Sequence, residues 1–298
     1  MKKFLYTIAS VIVLAGSANA QEPAKDKGAD FDKKFRFGLR ITPQPTWFTS
    51  SDNNNKPYGA RFGFGFGLNM EFRLSNIVAF LTGVGGDFEG GKYQFRQDPA
   101  NNYAVRYWQN NAGDFVEPKK NSNNAEVNAS NTVYLLKDRT IKTTFVTIPA
   151  ILKLSTNEYS GLKYFGMFGV ELGIRVKATA TDNYINSYKY PSTGVAPAGY
   201  AGEGASSQSN ININKDASLI PIRLGLNVGG GTEYRIGGST TAFISVNYFR
   251  SFTNLMRNDS KYLVYNVDTD ITSGNNTYSF VKQNIIMSAI RINLGIMF

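Results

Sequence analysis

Phe62-Gly63-Phe64-Gly65-Phe66-Gly67-Leu68-Asn69-Met70-Glu71-Phe72-Arg73 alternates without a break. Large apolar side chains fill the even positions; glycine, Asn69, Glu71 and Arg73 fill the odd ones. Successive residues of a β-strand point to opposite faces, so a period of two predicts a strand with one apolar face and one small or charged face. A soluble β-sandwich has no reason to set large apolar residues against Gly, Arg and Glu on strand after strand. A strand that faces lipid on one side and a polar interior on the other does.

Seven more segments read the same way. The predicted strands run over 35–48, 60–74, 77–94, 141–154, 162–180, 219–235, 241–252 and 284–298. In the fifth, Phe168, Val170, Leu172, Ile174 and Val176 oppose Gly169, Glu171, Gly173, Arg175 and Lys177. In the last, Ile290, Ile292, Leu294, Ile296 and Phe298 share one face. The connections alternate: 74–76, 155–161 and 236–240 are turn-like, whereas 49–58, 95–140, 181–218 and 253–283 are longer and rich in Asn, Ser and Asp. Short turns at one rim and long loops at the other are what an up-and-down barrel produces. The expected fold is therefore all-β: an eight-stranded antiparallel up-and-down transmembrane β-barrel with four longer extracellular loops. Closure leaves no strand edge, so no backbone group goes unpaired in hydrocarbon.

The flanking segments agree with that compartment. Residues 1–20 carry Lys2 and Lys3, an apolar run from Leu5 to Leu14 and Ala18-Asn19-Ala20, the pattern of a secretory signal peptide. Residues 21–34 are polar and mixed in charge and read as a flexible periplasmic tail, leaving 35–298 for the barrel. The expected location is the bacterial outer membrane.

Composition removes several chemistries. The chain has no Cys and no His. Disulfides, His-ligated zinc and His-activated nucleophiles are thereby excluded. No cofactor and no metal site are expected. The net charge is +10. No dense basic patch of the nucleic-acid type is visible, because the long second loop is close to neutral. Charge collects instead at inward positions: Arg36, Arg40, Glu71, Arg73, Asp87, Glu89, Lys153, Glu171, Arg175, Lys177, Arg223, Glu233 and Arg291. Eight strands enclose an interior just wide enough for side chains to fill, so these ions are expected to pair across the lumen. The alternative is a narrow pore lined by arginines. Asp87 and Glu89 share a face, but nothing beside them supports acid–base catalysis. The loop aromatics, among them Tyr107, Trp108, Tyr134, Tyr184, Tyr262 and Tyr278, fit either ordered loop packing or a binding surface.

Phe35-Arg36-Phe37-Gly38-Leu39, Phe62 to Leu68, Leu81-Thr82-Gly83-Val84-Gly85-Gly86 and Thr147-Ile148-Pro149-Ala150-Ile151-Leu152-Lys153 resemble successive strands of the PorT-like outer-membrane β-barrel proteins of the Bacteroidetes. The resemblance covers nearly all of the chain after the signal peptide, and its most specific piece is the Ile148–Lys153 segment. It implies an eight-stranded outer-membrane barrel, and for the namesake subgroup a part in protein secretion by the type IX system. The apolar face ending at Phe298 is similar to the closing strand of outer-membrane barrels, which implies an insertion signal read by the barrel-assembly machinery. The expected partners are outer-membrane lipid and lipopolysaccharide, that machinery, and a protein met at the outer loops or periplasmic tail; the barrel itself is expected to be monomeric. The functional expectation is a non-enzymatic structural or interaction component, an accessory of secretion, with a small passive pore or a loop-borne adhesin as alternatives.

Overall fold

The computed structural model describes residues 33–50, 55–98, 103–119, 131–189, 207–214, 219–256, 259–266 and 278–298. The expected signal peptide, and the tail before Lys33, lie outside the described residues.

Eight long strands form one closed ring: β1 (Phe35–Ser50), β2 (Arg61–Arg73), β3 (Val78–Phe95), β4 (Thr132–Ser155), β5 (Leu162–Lys189), β6 (Ile222–Gly237), β7 (Thr240–Ser251) and β8 (Ile285–Met297). Each pairs antiparallel with its neighbour in chain order. The ring closes where β8 returns to β1, from Gly38↔Met297 to Ser50↔Ile285. The connections at one rim are short, and two of them need a left-handed residue that glycine supplies: Gly161 (φ 79°) and Gly238 (φ 54°). Both ends of the ring fall at that rim. Phe298 lies there half-exposed, its ring 5.5 Å from that of Phe37, and its N–H donates to the Phe37 carbonyl at 2.7 Å.

The faces follow the alternation. Phe62, Phe64, Phe66, Leu68 and Phe72 are exposed on β2, while Asn69 and Glu71 are buried. The same holds for Phe168, Val170, Leu172 and Ile174 against Glu171 on β5. This apolar outer band is the surface that lipid covers.

Two strands run farther than their alternation predicts. β4 begins at Thr132 rather than 141, taking in Val133-Tyr134-Leu135-Leu136, which the sequence marks as a candidate extension of that strand, and β5 continues to Lys189 rather than 180. At roughly 3.3 Å per residue they are about 80 and 90 Å long, against the 9–11 residues a tilted strand needs to span a bilayer. Their excess stands beyond the membrane. There it nucleates a small sheet in the order Ser207–Asn212, β5, β4, Arg106–Gln109, Asp259–Asn266, Tyr278–Lys282. A further strand, Phe115–Val116, folds back on Arg106–Gln109 to make a hairpin.

Beyond the membrane the sidedness inverts. The large apolar residues that are buried there include Tyr107, Trp108, Leu136, Ile141, Phe145, Phe249, Val281 and Ile285. All but Trp108, which belongs to a second, smaller cluster, form a core over the outer mouth of the ring. On β5 a bulge performs the inversion: Arg175 faces Phe145 and Lys177 faces Thr144, so Val176 is an extra residue. Even-numbered side chains point outward up to Val176; past it, Ala178, Ala180, Asp182 and Tyr184 point inward and are buried.

Candidate functional site: a filled lumen under an outer cap

Nearest the turn rim, four charges from four strands meet. Arg36 Nη2 donates to Glu71 Oε1 at 2.5 Å and to Glu233 Oε2 at 3.2 Å. Lys153 Nζ donates to Glu71 Oε2 at 2.7 Å and also to Glu233 Oε1. Its ammonium lies 4.6 Å from the centre of the Phe165 ring. Arg73 adds a longer contact, 3.7 Å to Glu71. Glu71 and Glu233, each shared between Arg36 and Lys153, make a closed belt across the lumen.

A second belt crosses nearer the outer side. Arg291 donates to Glu171 Oε2 at 2.6 Å, Glu89 Oε1 at 2.8 Å and Gln44 Oε1 at 2.8 Å. Arg223 donates to Glu171 Oε1 at 2.9 Å and to Glu89 Oε2. Asp87 accepts from Thr147 Oγ1 at 2.8 Å and Gln44 Nε2 at 3.3 Å. Both guanidiniums also lie over the Phe249 ring, at 4.2 and 4.5 Å. Glu89, Glu171 and Arg291 are at most 1 % exposed. Buried ions are tolerated only when paired and hydrogen-bonded, and these are.

Between the belts lies a polar layer. Asn293 donates to Ser245 at 3.0 Å and Asn247 at 3.2 Å, and Asn247 donates to Asn227 at 2.8 Å. Arg40 is buried beside Gly67 and Gly85, whose missing side chains make room for it. It lines a cavity of about 30 Å³. That is room for about two waters, at the ~10–15 Å³ each requires.

One residue assigned to the inner face lies elsewhere. Lys177 is exposed on the outside, because the bulge at Val176 reverses the alternation. Arg175, just before that bulge, is half-buried and reaches the outer segments, with Nη1 donating to Asn214 Oδ1 at 3.2 Å and Nη2 to the Leu219 carbonyl at 3.3 Å. The other eleven residues named from the sequence line the interior, Arg73 only partly buried.

One ion pair escaped the sequence reading because both partners fall in segments read as loops. Arg139 on β4 and Asp182 on β5 are fully buried and pair twice, at 2.6 and 2.7 Å. Arg139 also donates to the Tyr262 hydroxyl at 2.7 Å, and the Tyr107 hydroxyl reaches Asp182 at 3.2 Å and Tyr184 at 2.6 Å. Burial disfavours the Arg139 charge, but the Asp182 carboxylate outweighs it and holds the guanidinium above its ordinary pKa. Burial, reinforced by the same carboxylate, pushes the Tyr107 and Tyr184 hydroxyls upward too. Trp108 and Tyr278 pack edge to face at 4.8 Å in the same cap. Of the loop aromatics, Tyr107, Trp108, Tyr184, Tyr262 and Tyr278 are core residues of the cap. The side chains of Tyr103, Tyr188, Tyr190 and Tyr200 lie outside the described residues.

A closed ring with an apolar exterior and an ion-paired interior defines a small transmembrane β-barrel. The chain belongs to the outer membrane protein beta-barrel domain family, whose model matches residues 19–257, and its place is the outer membrane. No curated protein sequence matches it. Among solved structures it is similar to Neisserial surface protein A (11 % identity, TM-score 0.32, covering 87 % of this chain and 95 % of that one). It is also similar to the attachment invasion locus protein Ail of Yersinia pestis (12 %, 0.32, 89 % and 100 %). A third similar structure is OprG of Pseudomonas aeruginosa (11 %, 0.35, 90 % and 98 %).

Proposed function

We propose that the protein is a closed, non-enzymatic barrel that anchors a folded interaction platform at the cell surface. The observation that carries this is the filled interior. Each buried lumen acid (Glu71, Asp87, Glu89, Glu171 and Glu233) has a lumen cation within 4 Å, and the outer mouth is sealed by the cap core. A pore needs a hydrated path, and ion pairs that cross the lumen between strands that are not neighbours, such as Arg36 to Glu233 and Arg291 to Glu89, leave none. The strands β4 and β5 then extend the rigid wall of the barrel outward, which is how a scaffold presents a surface with little loss of entropy on binding.

The resemblance of the strands to PorT-like proteins supports protein secretion as the process this platform serves. Affinity capture of the full chain from mildly solubilised membranes tests the platform. A partner retained by the intact chain and lost when 103–119 and 207–214 are replaced by short linkers is the expected result; no partner, or one indifferent to the replacement, removes the reading. Deleting the gene tests the process separately. An unchanged set of secreted proteins excludes the secretion role while leaving the platform in place.

A further inference from the structure

The cap contains a cleft outside the ring, floored in part by its core. It opens between the hairpin 106–116 and the strand Ser207–Asn212, with a volume of about 500 Å³. Clefts that hold small ligands typically measure ~300–1,000 Å³.

Its walls are chemically specific. Gln109 lines it and is 5 % exposed. A carboxamide on a cleft wall offers two donors and an acceptor to a ligand. Across the cleft, Asn210 stands at φ 58° in a bulge: Ile211 faces Ala180 and Gln208 faces Asp182, so the strand holds one residue more than β5. Bulges of this kind re-aim side chains, and here the residue re-aimed lines the cleft. Asn212 adds a third carboxamide to that wall.

The floor is aromatic and fixed. Phe115 is half-buried and stacks on Tyr262 with centroids 4.2 Å apart. The Tyr262 hydroxyl is held by Arg139, and the Tyr184 hydroxyl donates to Gln208 Oε1 at 3.0 Å. Both walls therefore rest on the one buried Arg139–Asp182–tyrosine network, so the cleft is preorganised. Asp114 and Glu117 stand at its mouth, exposed and without a cationic partner among the described residues. They accept hydrogen bonds and repel anions.

We infer that this cleft binds an uncharged oligosaccharide. An aromatic face receives the apolar face of a sugar ring, carboxamides match hydroxyls that both donate and accept, and the two carboxylates accept hydrogen bonds from hydroxyls while turning away sulfated or acidic sugars. Carboxamides dominate the lining over carboxylates, which favours hydroxyls over the ammonium and guanidinium groups of a basic peptide. The inference rests on the interaction-platform reading and names its ligand.

The test uses the full chain in lipid nanodiscs. Hexasaccharides of glucose, mannose, galactose and N-acetylglucosamine are titrated by calorimetry, with a heparin hexasaccharide and hexalysine as charged probes. Saturable binding of at least one uncharged hexasaccharide is expected, weakened at least tenfold by Asn210→Gly and by Phe115→Ala, with no heparin binding. Asn210 is exposed and its backbone is left-handed, which glycine accepts, so this variant keeps the fold, as an unchanged thermal transition verifies; it decides the matter if the Phe115 variant does not fold. No uncharged hexasaccharide bound, binding indifferent to Asn210→Gly, or hexalysine bound in preference overturns the assignment. A captured protein partner with no saccharide binding rejects the cleft's ligand and leaves the platform standing; saccharide binding in a barrel that conducts ions does the reverse.

Discussion

Replacing Arg291 with Met removes the charge at the centre of the outer belt while keeping most of the side-chain volume. Arg291 is 1 % exposed and holds Glu171 at 2.6 Å, Glu89 at 2.8 Å and Gln44 at 2.8 Å. Without it, Glu89 and Glu171 must share Arg223, and each loses its second charge-assisted hydrogen bond. Breaking a buried ion pair by removing one partner costs about 3–5 kcal/mol, because a desolvated charge is left behind. Replacing the whole pair by apolar groups is often close to neutral. The double variant Glu171→Met/Arg291→Met should therefore recover most of the loss, falling well short of the sum of the two single variants. Urea unfolding of the folded barrel in lipid vesicles, followed by circular dichroism, measures each term. A loss below about 1 kcal/mol for Arg291→Met, or strict additivity in the double variant, would falsify the reasoning that the belt is a dry, paired network.

Three further outcomes follow from the geometry. Lys177→Ala should change stability by no more than about 0.5 kcal/mol, whereas Lys153→Ala, inside the inner belt, should cost about 3 kcal/mol or more; equal effects in the same urea assay would contradict the bulge at Val176. Gly83 sits at φ 153°, where a side chain would run into the Leu68 carbonyl, so Gly83→Ala should lower stability by about 1–3 kcal/mol, and an unchanged midpoint would count against that backbone geometry. The cap should weaken in alkali: the Tyr107 and Tyr184 hydroxyls are pushed above the ordinary phenol value of 10.0, so the folded cap keeps protons that the unfolded chain sheds, and this contribution is complete below pH 10 and falls as pH climbs beyond it. Tyrosinate absorbance alongside proteolysis of the cap would show it; two phenols ionising at the ordinary value would refute it.

The ring was legible because its signal is steric. Lipid requires apolar side chains at every second position, and Phe62–Phe72 or Ile290–Phe298 meet that demand plainly. The lumen ions were legible for the same reason, as the residues left on the other face. Outside the bilayer the requirement disappears. There the inner face must be apolar, and a single extra residue at Val176 exchanges the two faces of β5. That is why Lys177 reads as inward, and why Arg139 and Asp182 fall into predicted loops although they form a fully buried ion pair in the cap. Partner identity across the lumen was not legible at all. Glu71 and Lys153, or Glu89 and Arg291, meet through the curvature of the ring, which strand patterns do not encode.

Single-channel recording of the purified full chain in a planar lipid bilayer reaches the central claim most directly. A lumen crossed by two paired belts and sealed by the cap should give no steady unitary conductance in molar salt. Steady unitary openings whose size or ion preference shifts with Arg40→Ala or Arg223→Ala would contradict it, and would make this barrel a pore.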